Sequence, residues 1–161
     1  MTPVVDIQNA STEAVPRDDE LSQWVNTALA YPPLNSCPFE RPELSIRLVD
    51  RPEMSTLNTT YRGAEGPTNV LSFPADLPPE LNLPLLGDIV ICAPLVHEEA
   101  SRQRKNDTAH WAHLTVHGVL HLLGYDHVLD NDASIMESFE TAILAQLNFP
   151  CPYTEALHEE H

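Results

Sequence analysis

The stretch HGVLHLLGYDH, residues 117–127, constrains this chain more than any other. His117 and His121 are four apart, so on a helix they share one face, about 6 Å apart along the axis. Gly124 follows three residues later, and glycine readily takes the left-handed backbone that ends a helix; the chain can then swing His127 back toward the first pair. The spacing H-x-x-x-H-x-x-G-x-x-H therefore asks for a helix, an abrupt stop and a return, with three imidazoles gathered at the bend. His113 lies on the same stripe but cannot join one site with both His117 and His121. Residues eight apart are separated by about 12 Å of helical rise, whereas metal–nitrogen bonds are about 2.0–2.1 Å. His110 and His113 are accordingly read as packing or supporting groups.

Three imidazoles suit one zinc ion per chain, with His117, His121 and His127 as ligands and a fourth position open to water, whose pKa zinc lowers to about 7. The same spacing occurs in the metzincin zinc site, where a Glu beside the first histidine is the general base. Here that position is Gly118, so the ligand set is kept while the protease base is absent, and a metalloprotease is disfavoured. Asp126, beside His127, either orients the water or accepts its proton, or else caps a turn. Leu120, Leu122 and Leu123 are expected to bury the opposite face and hold the ligands in place.

Around this segment, the apolar pattern reads as an alternation of strands and helices. VVDIQNAS (residues 4–11) reads as a strand, and Leu21, Trp24, Val25, Ala28 and Leu29 recur at helical spacing behind an acidic first turn. Residues 31–42, with four prolines, form a loop, and Leu44, Ile46 and Leu48 alternate as in a half-buried strand. Asp50 and Pro52 look like the cap and first turn of a helix running to Arg62 and Gly63. PTNVLSFP is a strand, residues 75–84 a proline-rich surface excursion, and LGDIVIC a strand buried on both sides. Helices follow from Ala93 to about Gln103, from Asp107 to Leu123, and behind Asp130–Asp132. The last presents Ile135, Met136, Phe139, Ile143 and Leu147 on one face.

The expected fold is therefore α/β: one domain over residues 1–150, with a mixed sheet of four to five strands packed by helices, followed by an acidic tail over 151–161. The chain has no basic-then-apolar leader and no apolar run of membrane-spanning length, and Cys37, Cys92 and Cys151 are scattered. A cytoplasmic protein with reduced thiols and no membrane partner is expected. With 24 acidic side chains against 8 Lys plus Arg, the formal charge is −16, which repels polyanions over most of the surface. Arg102, Arg104 and Lys105, just ahead of the histidine helix, are either a local exception that binds nucleic acid or a solvated turn.

HGVLHLLGYDH, NTTYRGAEGPTNVLSFP and LGDIVIC, in their order along the chain, closely resemble the corresponding blocks of the YbeY family of bacterial rRNA-maturation factors. The resemblance runs from the first strand to about Phe149. It implies a zincin-like fold, zinc on His117, His121 and His127, and single-strand-specific endoribonuclease activity. The family's role is maturation of the 3′ end of small-subunit rRNA and ribosome quality control. The small subunit and its assembly proteins are therefore the implied partners, and DNA is not. The resemblance also makes Arg62 functionally important. A guanidinium there could fork onto a phosphate and offset charge that builds during cleavage; the alternative is a surface ion pair. Many relatives carry Lys-Asp after this arginine, where this chain has Ala64 and Glu65. Outside the enzyme class, a metal-stabilised assembly factor that binds the ribosomal subunit without cutting RNA is the competing expectation.

Overall fold

Successive residues of the strand Leu85–Cys92 point to opposite faces and so build two cores. Ile89 and Ile91 enter the larger core, while Val90 and Cys92 enter the smaller. The protein is described by a computed structural model covering residues 2–31, 37, 39–125 and 130–153. The elements are β1 (Val4–Asn9), α1 (Asp18–Ala30), β2 (Glu43–Val49), α2 (Arg51–Arg62), β3 (Val70–Pro74), β4 (Leu85–Cys92), α3 (Ala93–Arg102), α4 (Asp107–Leu122) and α5 (Asp130–Gln146).

The sheet order is β1-β2-β4-β3, with β1, β2 and β4 parallel and β3 antiparallel at the edge. This is the expected mixed sheet, with four strands among the described residues. Helices α1, α4 and α5 cover one face, packing Leu21, Trp24, Trp111, Val119, Leu120 and Ile143 onto Ile46 and Ile89. Helix α2 covers the other through Met54, which meets Val49, Leu71, Val90 and Cys92. Every apolar position expected for α1 is buried. No helix among the described residues is long and apolar enough to cross a membrane.

Two local expectations need correcting. Asp50 stands at the N-cap position of α2, but its carboxylate does not cap. It accepts instead from Ser11 Oγ at 2.6 Å and from the backbone N–H and hydroxyl of Thr12 at 3.1 and 2.8 Å, tying the chain after β1 to the start of α2. On α5, Ile135 is exposed, and the buried positions are Met136, Glu140, Ile143 and Leu144. The face turns toward Glu140 because a network of donors awaits its carboxylate. The acidic tail beyond Tyr153 lies outside the described residues.

Candidate active site on the histidine helix

Helix α4 starts at Asn106, whose side chain accepts from the backbone N–H groups of Thr108 and Ala109. It ends as the glycine foretold: Gly124 has φ 100°, its N–H donates to His121 O, and that of Tyr125 donates to Leu120 O. These paired bonds are a Schellman ending. Between the two ends, Leu120 and Leu122 are buried on the core side and Leu123 packs against it. Gly118 faces the sheet: a Cβ there would lie 2.9 Å from Ile89 Cγ2. The missing general base thus has a packing reason, since α4 sits too close to β4 for a side chain at this position.

The opposite face carries the imidazoles. His117 Nε2 and His121 Nε2 lie 3.1 Å apart. Two nitrogens bound tetrahedrally to one zinc would be separated by about 3.3 Å, from bonds of about 2.05 Å. The pair therefore fits two corners of a metal site. His127 and Asp126 lie outside the described residues, and among those residues no group of three or more His, Cys, Asp or Glu is placed to hold an ion.

Behind His117 stands a group that the sequence reading missed. Glu140 is fully buried, and its Oε2 accepts from His117 Nδ1 at 2.9 Å and lies 3.2 Å from His113 Nε2, while Tyr153 donates its hydroxyl to Oε1. Burial alone would raise this carboxyl, but the bonds from His113 and His117 outweigh it and hold it below the usual carboxylate range. The bond to Nδ1–H leaves the lone pair of His117 on Nε2, the atom that faces His121. His113 is pushed down by burial, which outweighs its bond to Glu140, so it stays neutral and acts as a support, as expected. Burial and the Glu140 charge push the Tyr153 hydroxyl up, so it remains a donor. One sign of Glu140 was visible in the sequence: an acid occupying the 136–140–143–147 apolar stripe of α5.

Two cavities meet at His117. A cleft of about 560 Å3 is lined by Arg62, Asn58, Ala64, Thr68, Ser72, His117 and His121, among others. Arg62 arrives there because α2 ends at Gly63 in the left-handed conformation. The following loop is pinned by Asn58 Nδ2 donating to Gly66 O at 2.9 Å and by Thr59 Oγ1 donating to Ala64 O at 3.0 Å. A second cavity, of about 270 Å3, shares Asn69, Val70 and His117 with the first and continues over Glu99, Lys105, His110 and His113. Of the basic run before α4, then, Lys105 reaches the histidines. Arg102 lies 3.8 Å from Glu98 instead, and Arg104, at φ 55°, occupies the turn after α3. A separate groove of about 450 Å3 on the sheet, around Val4, Phe73 and Leu85, contains no histidine, lysine or arginine.

His110 donates from Nε2 to Glu99 Oε1 at 2.8 Å, and Asn69 Nδ2 donates to the same oxygen at 3.1 Å. Burial would raise Glu99, but these bonds outweigh it and lower its pKa, so a charged carboxylate stands in the wall of the second cavity.

The family model described as Endoribonuclease YbeY matches residues 6–148. Endoribonuclease YbeY of Cellvibrio japonicus (strain Ueda107) is 46% identical over 157 residues, covering 97% of this chain and 86% of the relative. The solution structure of TM1509 from Thermotoga maritima shares the fold, with a TM-score of 0.55 at 21% identity, covering 88% of this chain and 91% of that one. A helix-borne histidine pair, an arginine across the cleft and a match over nearly the whole length place this chain in the YbeY family, a family named for cutting RNA internally.

Proposed function

We propose that this chain is a zinc-dependent, single-strand-specific endoribonuclease of the cytoplasm. Its work in this reading is to mature the 3′ end of small-subunit rRNA and to take part in ribosome quality control, together with the small subunit and its assembly proteins. The observation that carries the reading is the 3.1 Å approach of His117 Nε2 and His121 Nε2 in a cleft that Arg62 also lines. His127 is assigned as the third ligand. When bound, zinc supplies a Lewis acid and brings the pKa of water to about 7.

The chain's own groups do the rest. Glu140 fixes the ring of His117 and its tautomer. Arg62 makes no ion pair with a carboxylate among the described residues, so its fork is open to a phosphate and to the negative charge that grows there during cleavage. Asp126 takes the proton of the attacking group. Lys105, with Arg102 and Arg104 nearby, adds positive charge for the strand on the other side of His117. Gly118, packed on Ile89, leaves no base in the metzincin position and so speaks against peptide cleavage.

Elemental analysis beside a cleavage assay on single-stranded RNA tests the proposal. Zinc near one ion per chain is expected, with cutting abolished by chelation. His117→Ala and His121→Ala should lose metal and activity together, and Arg62→Glu should keep the metal but lose cleavage. Undiminished cutting by the metal-free protein would overturn it.

A further inference from the structure

The cleft beside Arg62 accounts for a scissile phosphate, but not for the second cavity. That cavity opens from the same His117, so a strand crossing the histidine pair has its neighbouring nucleotide at the mouth. At about 270 Å3 it is half the size of the cleft and suits one ring system rather than a length of backbone. Basic side chains flank it. Arg62 lines the cleft and Lys105 the second cavity, and His117 belongs to both. Phosphates on both sides of the cut could thus be met by cations.

Glu99 shares the second cavity with Lys105, has no place in phosphate binding and would repel a backbone. Its Oε1 already accepts two bonds, from His110 and Asn69; among the described residues its Oε2 has only a long contact, 3.4 Å from Asn69 Nδ2. An ionised carboxylate only accepts, so Oε2 offers room for one further N–H. The cavity is polar in depth as well. His110 and His113 line it, and the Nδ1 of each is buried without a hydrogen-bond partner among the described residues.

We propose that the second cavity is a nucleobase subsite next to the scissile phosphate, and that Glu99 makes it select bases carrying an exocyclic amine. Adenine, cytosine and guanine each present such an amine. Uracil presents carbonyl oxygens on both sides of its single N–H, and they meet the carboxylate unfavourably. This rests on the endoribonuclease reading for its substrate class and adds to it a specificity-determining residue.

The test uses the zinc-loaded full chain and short single-stranded oligouridylates in which one position at a time is replaced by A, C or G. Affinity is read by fluorescence anisotropy and cutting by product mapping. The expected result is one position, fixed relative to the cut, where A, C or G binds roughly tenfold tighter than U, a size in keeping with one base contact. Glu99→Gln, which places an amide N–H2 against the base, should reduce that ratio below about twofold or invert it toward U. Lys105→Gln should weaken all the strands alike, because a phosphate contact carries no base identity. Circular dichroism and zinc affinity of Glu99→Gln establish that the site is intact. Should that variant unfold, Asn69→Ala, which frees the second lone pair of Oε1, should widen the tolerance for different amine-bearing bases without admitting U. Equal affinity for all four bases at every position overturns the subsite, as does a preference that survives intact in Glu99→Gln. Failure of the endoribonuclease reading looks different: strands that bind with the preference but are never cut.

Discussion

Glu140→Gln isolates what a buried carboxylate contributes to a metal ligand it does not replace. Gln has nearly the same shape, and its carbonyl oxygen can take the Oε2 position, where it still accepts from His117 at 2.9 Å and faces His113 at 3.2 Å. Its N–H2 then faces Tyr153, whose hydroxyl can rotate to accept. Only the hydroxyl hydrogen of part-exposed Tyr153 must find another acceptor, so the fold should survive; the main loss is the negative charge. A hydrogen bond to a charged group contributes about 1.5–3 kcal/mol and a neutral one about 0.5–1.5, a difference of roughly 1–2 kcal/mol. That is about 5–30-fold, overlapping the 10–100-fold loss of metal affinity typical when the partner of a ligating histidine is altered. Zinc affinity measured by competition with a chromogenic chelator should therefore weaken about tenfold, with urea unfolding of the metal-free protein changed by no more than about 2 kcal/mol. Glu140→Ala, which leaves three part-buried donors without their acceptor, should cost more, about 1–3 kcal/mol for each donor that water does not reach. A Glu140→Gln protein that folds and binds zinc as tightly as the parent would refute the argument that Glu140 orients His117.

Arg62→Ala should bind zinc normally while kcat/KM for RNA falls roughly 100-fold, the scale of removing one donor to a developing oxyanion. Gly118→Ala puts a methyl 2.9 Å from Ile89 Cγ2, and overpacking of this kind costs about 1–3 kcal/mol, visible as a lower midpoint in urea. Ala64→Lys, which adds a cation to the cleft wall, should tighten RNA binding and steepen the dependence of log K on log salt by about 0.7. His97 is held between Asp107 and the Ala14 carbonyl, each 2.8 Å away. Burial opposes its charge, but these partners outweigh it and raise its pKa. Its contribution to stability is thus full below about pH 6.5, the unfolded value, and is lost as the pH rises through the folded one. Unfolding curves from pH 6 to 9 should show that decline, and His97→Ala should flatten it.

The elements were legible wherever one face is dry and the other wet. Leu21, Trp24, Val25, Ala28 and Leu29 repeat at the helical period because α1 buries a single stripe, and Leu44, Ile46 and Leu48 alternate because β2 does the same at period two. Periodicity weakens where polar groups are buried. Ile135 looked like part of the α5 face and Glu140 did not, because hydropathy ranks an acid as surface while its environment here supplies three hydrogen-bond donors. Asp50 shows the same limit from the opposite side. Local pattern made it a cap, and a segment 38 and 39 residues away claimed its carboxylate.

The site divides along the same line, between what a helix encodes within a few residues and what the fold assembles from afar. The pairing of His117 with His121 and the stop at Gly124 follow from spacing of three and four, so both could be read directly. Glu99 reaches His110 from α3 and Tyr153 reaches His113 from the segment after α5, while Asn69, from the residue ahead of β3, holds Glu99, contacts that no window of sequence contains. Charge follows the same logic. A formal −16 describes the whole chain, but an RNA strand senses the field within about a Debye length, roughly 8–10 Å at ordinary ionic strength. The relevant quantity is therefore the local set in the two cavities, Arg62, Lys105 and Glu99 around His117. There two cations line the cavities, Glu140 is taken up by its bonds to the histidines and Tyr153, and Glu99, in the proposal above, discriminates among bases rather than repelling the chain.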